Sequence, residues 1–147
     1  MDKNKKFLIK CRAIILHGGK MLVVRHKESN FVALPGGHLE YGEDLKESLK
    51  REIIEELGVE PEISRLLYIN TYQEKGLTQY VEFFFEVTNG DKYLDVEKLN
   101  RTHAHELAEI VWISSSDNVH FLPKKLKEDF QTGKIISDEL RYLSDFE

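Results

Sequence analysis

Glu52, Glu55 and Glu56 stand at i, i+3 and i+4, the spacing that sets carboxylates side by side on one helical surface. Hard oxygen donors grouped in this way suit a divalent cation. Mg²⁺ is the expected ion and Mn²⁺ a substitute, since Mg²⁺ is held by a few carboxylates together with water and the oxygens of a bound phosphate. Like charges this close repel one another, and near a helix C-terminus the macrodipole adds to the repulsion, so a positive partner is required. Arg51 adjoins the group, with Lys46 and Lys50 on the same segment. The plainer reading is an acidic, solvated face offset by these three cations. Gly36 and Gly37 precede the segment and permit a close backbone approach, and Glu43 falls where the helix begins, beside a loop able to cover a ligand.

The helix itself is well delimited. Asp44 and Glu47 have capping-box spacing and Gly58 is placed to end it, which predicts a helix over 44–57. A core-facing stripe at i, i+4, i+7 and i+11 reads Leu45, Leu49, Glu52 and Glu56, so it turns acidic halfway along while Ile53 and Leu57 keep the adjoining column apolar. Glu52 and Glu56 therefore face the protein, where a purely solvated face would set them opposite the leucines.

Around this helix the chain reads mostly as strands. Phe7–Leu16 and Met21–Val24 flank His17-Gly18-Gly19-Lys20 as a hairpin, and Phe31–Leu34 reads as a further short strand stopped by Pro35-Gly36-Gly37. After Pro61, Ile63–Tyr72 and Gln79–Val87 read as long paired strands about Lys75-Gly76-Leu77-Thr78. Residues 92–108 carry no clear signal, and Ile110–Ile113 reads as one more strand. Leu122, Leu126 and Phe130, with Pro123 in the first turn and Gly133 after the last, propose a closing helix. The class is α/β, one sheet with helices on its faces.

A length of 147 residues suits one domain spanning 1–147, and 41% hydrophobic beside 32% charged residues is enough apolar material for a packed core. With 21 Lys+Arg against 26 Asp+Glu the net charge is −5, which removes the broad basic footprint of a nucleic-acid binder. Cys11 is the single cysteine, so no internal disulfide forms; it reads as a buried apolar filler and the compartment as reducing. No apolar run approaches the roughly 20 residues of a membrane span, and 1–12 lacks a signal-peptide core. The expectation is a cytoplasmic protein with no membrane and no nucleic-acid partner.

Gly37, Glu43, Arg51, Glu52, Ile53, Glu55, Glu56, Gly58 and Val59 follow one pattern: Gly, five residues, Glu, seven residues, then Arg-Glu-aliphatic-any-Glu-Glu-any-Gly-aliphatic. In these residues the chain resembles the Nudix hydrolases, and in its small size it is similar to their MutT-like members. The resemblance implies an α/β/α sandwich with a mixed β-sheet. It also implies a divalent-cation-dependent hydrolase that cuts a phosphoanhydride in a nucleoside diphosphate linked to another group, such as a nucleoside triphosphate or a nucleotide sugar. Glu52, Glu55 and Glu56 are similar to the family's metal-binding carboxylates, with Glu52 or Glu56 doubling as water activator. Gly37 resembles the glycine whose loop backbone meets metal or phosphate. Arg51 resembles the arginine that orients the glutamates, and Glu43 the glutamate that supports loop and site. Some members carry the general base outside this segment, just before a late strand, where Glu106 and Glu109 are the candidates here.

Arg25, His26 and Lys27 are candidates to meet phosphates, and Phe31, Tyr72, Tyr80 or Phe84 to stack a base. His103 and His105 lack partners at zinc-ligand spacing and read as loop residues. Subfamily markers do not single out a substrate. Two other readings stand beside hydrolysis: a Nudix-fold nucleotide sensor without catalysis, although every box glutamate is present, and a diphosphate isomerase, which would want Cys11 as nucleophile. Edge strands and residues 92–108 are available to build a homodimer.

Overall fold

Alternation along the first strand decides the two layers of the molecule. The computed structural model describes residues 4–74, 76–99 and 107–145, the side chain of residue 108 excepted. Strand β1 (Lys6–His17) sends Cys11, Ala13 and Ile15 to one face and Ile14 to the other. Helix α1 (Leu45–Leu57) covers the first face with Leu49, Ile53 and Leu57, all fully buried. Burial of this kind is worth about 1.5–3 kcal/mol for each such side chain relative to exposure. Helix α2 (Lys124–Gln131) covers the second with Leu126 and Phe130. Because both faces are covered, the central strands read as near-continuous apolar runs.

Strands β2 (Lys20–His26), β3 (Gly36–His38), β4 (Ile63–Glu74), β5 (Thr78–Val87), β6 (Leu107–Ser114) and β7 (Arg141–Asp145) complete a mixed sheet in the order β6-β2-β1-β5-β4-β7, with β3 also paired to β1. β1 runs parallel to β5 over Lys6↔Thr78 to Ile15↔Val87, and β4 runs parallel to β7; the other pairs are antiparallel. Sandwich, hairpin, long paired strands and both helices match the expectation. Asp44 caps α1 by accepting the Lys46 N–H at 3.1 Å, and Gly58, at φ 77°, closes it with its N–H on Ile54 O at 2.8 Å. Pro123 stands at the N-cap of α2, one residue ahead of the helix. Short 3-10 turns at Gly90–Tyr93 and Val96–Lys98 occupy part of the segment left unassigned. Residues 100–106, with His103, His105 and Glu106, lie outside the described residues. Among the described residues no helix is long and apolar enough to cross a membrane.

One expected strand moves. Phe31–Leu34 is not a strand: it makes a single bridge, Ala33 to Val24, with bonds of 2.8 and 2.9 Å. The strand forms instead at Gly36–His38, paired with Lys10 to Arg12, which leave room at position 36 only for a residue without a side chain. Gly36 lies at φ 143°, and a Cβ on it would fall 2.0 Å from Cys11 O. β7 carries only two apolar residues in five and gives no strand signal of its own; pairing with β4 supplies its structure. The edge of β1 is divided as a result: Leu16 and His17 pair with β2, Lys10 to Arg12 with β3, and Ala13 N–H between them reaches Pro35 O at 2.8 Å.

Gly36→Ala is expected to cost at least about 2 kcal/mol through backbone strain and the clash with Cys11, read as a fall in Tm of about 4 °C or more at this chain length. An unchanged Tm would contradict the packing of β3 on β1.

Candidate active site

Leu49, Ile53 and Leu57 fix how α1 is rotated, and that rotation drives its acidic residues against β3. Glu56 is 4% exposed. Its Oε1 accepts the Gly36 N–H at 2.8 Å, and its Oε2 lies 3.4 Å from His26 Nε2. Glu52 is half-buried beside Gly37, where a Cβ would fall 2.5 Å from its carboxyl carbon. The two glycines thus do different work: Gly36 offers an N–H to Glu56, and Gly37 offers empty space to Glu52.

Arg51 ties the group together. Its Nε and Nη2 donate to the two oxygens of Glu43 at 2.7 and 3.0 Å, a bidentate pair, and Nη1 donates to Glu52 Oε1 at 2.9 Å. Nη2 also reaches His38 O at 3.1 Å, and Nη1 lies 3.5 Å from Glu55 Oε2 and 3.8 Å from Glu40 Oε1. Glu43 Oε1 accepts the Glu40 N–H at 2.9 Å, which holds the turn before the helix. The Arg51 hydrogen bonds pull the Glu43 carboxyl down to about 2. In return, Glu43 pushes the Arg51 guanidinium upward. Burial pushes Glu52 up from its ordinary value, against the opposing pull of Arg51.

Among the described residues no three acidic, histidine or cysteine side chains converge on one point as a finished metal cage. A hard divalent ion does not require one, since Mg²⁺ keeps several waters and takes one or two carboxylates with substrate phosphates. Glu52, Glu55 and Glu56 supply that donor set, and the space kept at Gly37 leaves the Glu52 carboxylate room at β3. The residues present therefore fit such an ion.

The other candidates are placed differently. Arg25 forms an ion pair with Glu109 at 2.8 Å and donates to Ser29 O at 3.2 Å. Val24 and Ile110 belong to the core beneath α1, so their neighbours Arg25 and Glu109 face the other side of the sheet, away from Glu56. Phe31 is 64% exposed, its ring 6.3 Å from that of His120 at the mouth of a cleft of about 550 Å³. Tyr72 and Tyr80 stack on each other at 4.7 Å, with Lys10 Nζ 4.3 Å from the Tyr80 ring and donating to Tyr72 Oη at 3.1 Å. Phe84 packs edge-on against Tyr68 in the core. Cys11 is fully buried. Sequence reasoning missed Arg12, Glu82 and Asn70, which line the same cleft. A signal was available for Arg12: Lys10 and Arg12 alternate within an otherwise apolar strand, so both face one side.

The Glu43 pair has a definite pH signature. Its folded carboxyl titrates near 2 against an ordinary 4.5, so the stabilisation is complete above about 4.5 and is lost as pH falls through 2. Wild type is expected to melt above Glu43→Gln at pH 7, with the gap narrowing below 4.5 and closing near 2. Equal Tm values at pH 7 would remove the Arg51 anchor from this account.

The NUDIX domain family model matches residues 9–136. The ADP-ribose pyrophosphatase of Methanocaldococcus jannaschii is 33% identical over 84 residues, which are 53% of this chain and 50% of that protein, so the match spans about half the length of this relative. Among solved structures, a UDP-X diphosphatase superposes with a TM-score of 0.68 at 24% identity, over 92% of this chain and 66% of that one. A MutT protein from Methanosarcina mazei Go1 gives a TM-score of 0.68 at 25% identity, over 89% and 95% of the two chains. The matched span takes in α1, both glycines of β3 and the whole Arg51 network, and on that ground the chain belongs to the NUDIX domain family.

Proposed function

We propose that the chain hydrolyses a phosphoanhydride bond in a nucleoside diphosphate linked to another group, and that it does so with a bound divalent ion, Mg²⁺ or Mn²⁺. The observation that carries this reading is the array on the inner face of α1: Glu52 and Glu56 held against Gly36 and Gly37 of β3, with Arg51 fixing Glu52 and Glu43 fixing Arg51. Such an array is fixed before substrate arrives. The similarity to an ADP-ribose pyrophosphatase supports a nucleoside diphosphate joined to a second moiety.

When bound, the cation screens phosphate charge and lowers the pKa of water. The rest falls to the chain's own residues. Glu52, Glu55 and Glu56 supply the carboxylates that would hold the ion. Glu52 or Glu56 accepts the proton of the attacking water as its oxygen bonds to phosphorus and the anhydride P–O bond breaks, the electron pair leaving with the departing phosphate. Between them, Glu56 is the more tightly held, by Gly36 N–H on one oxygen and His26 beside the other. Glu109, on the opposite face in its pair with Arg25, is less suited to that role. Cys11 argues against the isomerase alternative, because burial removes it from any ligand and pushes its thiol up to about 11.

Product release from a panel of nucleoside triphosphates, nucleotide sugars, ADP-ribose and dinucleoside polyphosphates tests this reading. Turnover is expected with Mg²⁺ or Mn²⁺ and is expected to vanish in excess chelator. Glu56→Gln is expected to lower kcat by about 10²-fold or more, with Tm measured alongside to separate chemistry from folding. Turnover surviving both treatments would refute the mechanism. No turnover, with nucleotides still raising Tm, would favour a sensor. Cys11→Ser is expected to retain kcat, whereas its loss in a folded variant would revive the isomerase.

A further inference from the structure

The face of the sheet turned toward α2 is apolar at its centre and polar in one row. Arg12 on β1, Glu82 on β5, Asn70 on β4 and Asp145 on β7 occupy four neighbouring strands in turn, and all four line the cleft of about 550 Å³. Register accounts for the row: Lys10 is opposite Glu82, Glu82 opposite Asn70, and Tyr72, two residues on, opposite Asp145.

Half of the row is satisfied internally. Arg12 Nε donates to Glu82 Oε2 at 3.2 Å and Asn70 Nδ2 to Glu82 Oε1 at 3.4 Å. The other half is not: Asn70 Oδ1 and Asp145 Oδ2 are buried and have no hydrogen-bond partner among the described residues, and Asn70 is 1% exposed. An unpaired buried polar atom costs about 1–3 kcal/mol, so it calls for a partner beyond the described residues. Both atoms are acceptors, and the partner must therefore bring donors. Burial raises Asp145 from its ordinary value while the Asn70 amide pulls it back, which fits a carboxylate in want of a further donor.

The cleft offers an aromatic surface as well as acceptors. Phe31 presents an exposed ring at its mouth, with His120 beside it, and base-on-aromatic stacking is worth about 1–3 kcal/mol. Arg12 leads from the cleft to the carboxylates: it pairs in register with Gly36, whose N–H holds Glu56, and its Nη1 donates to Leu34 O at 3.1 Å.

We propose that Asn70 and Asp145 select a nucleotide whose base carries adjacent N–H donors, the imino and amino edge of a guanine-type base, over a uracil-type base. This rests on the hydrolase reading above for its setting. A guanine-type edge meets two acceptors with two donors. A uracil-type edge sets carbonyls on either side of a single N–H and would turn one of them against these oxygens. A site built to receive N–H groups rejects an analogue that leaves its polar atoms unpaired far more strongly than an apolar slot does.

The test is equilibrium binding of GMP and UMP, which contain no phosphoanhydride, so that base recognition is read without hydrolysis. GMP is expected to bind tighter than UMP by about tenfold or more. Asp145→Ala, on the sheet edge, and Asn70→Leu are each expected to bring the ratio toward one while leaving UMP affinity unchanged, with Tm confirming the fold. If Asn70→Leu does not fold, Asp145→Ala decides alone. Equal binding of the two nucleotides by the wild type, binding of neither, or a ratio that survives substitution would overturn the proposal. Metal-dependent hydrolysis without base selection would keep the hydrolase and refute this site; base-selective binding without hydrolysis would do the reverse.

Discussion

The contact between the acidic side of α1 and the bare backbone of Gly36 and Gly37 governs the rest of this structure. A carboxylate taken out of water is expensive unless its oxygens are met. Glu56 solves this with the Gly36 backbone N–H and the neighbouring His26 imidazole. Packing and chemistry therefore use the same surface: the helix buries Leu49, Ile53 and Leu57, and that rotation presses Glu52 and Glu56 on the glycines.

Electrostatics then require Arg51. It faces Glu43, Glu52 and Glu55 within 3.5 Å, with Glu40 slightly farther away. One guanidinium does not neutralise four carboxylates, and no basic residue stands in the last turn of the helix, where the macrodipole is also unfavourable. That surplus of negative charge is the reason the divalent cation proposed above would stabilise this face.

Much of this is legible in the residues. The acidic turn of the helix stripe at Glu52 and Glu56, the Asp44 cap and the Gly58 stop describe α1 and its inward-facing carboxylates before any coordinates, because all of these are local in sequence. What is not legible depends on partners distant in the chain. Phe31–Leu34 has the composition of a strand, yet Gly36–His38 takes the place on β1, because close approach to Cys11 outweighs β propensity. β7 takes its strand pairing from β4. The cleft joins residues from Lys10 to Asp145, so no window of the sequence contains it; only the alternation of Lys10 and Arg12 hints that one sheet face is polar.

The divided edge of β1 has a consequence for how such a chain can diversify. The connection from β2 to β3 is fastened before its end, by the paired bonds of Ala33 with Val24 and by Pro35 on Ala13, whereas its tip at Glu28–Phe31 is exposed or partly so. Insertions or deletions at that tip cost little in loop entropy, and they stop at the Ala33 clasp before reaching Gly36. The mouth of the cleft, where Phe31 stands, is thus free to be re-tailored for new ligands while the spacing between β3 and the carboxylates of α1 stays as it is.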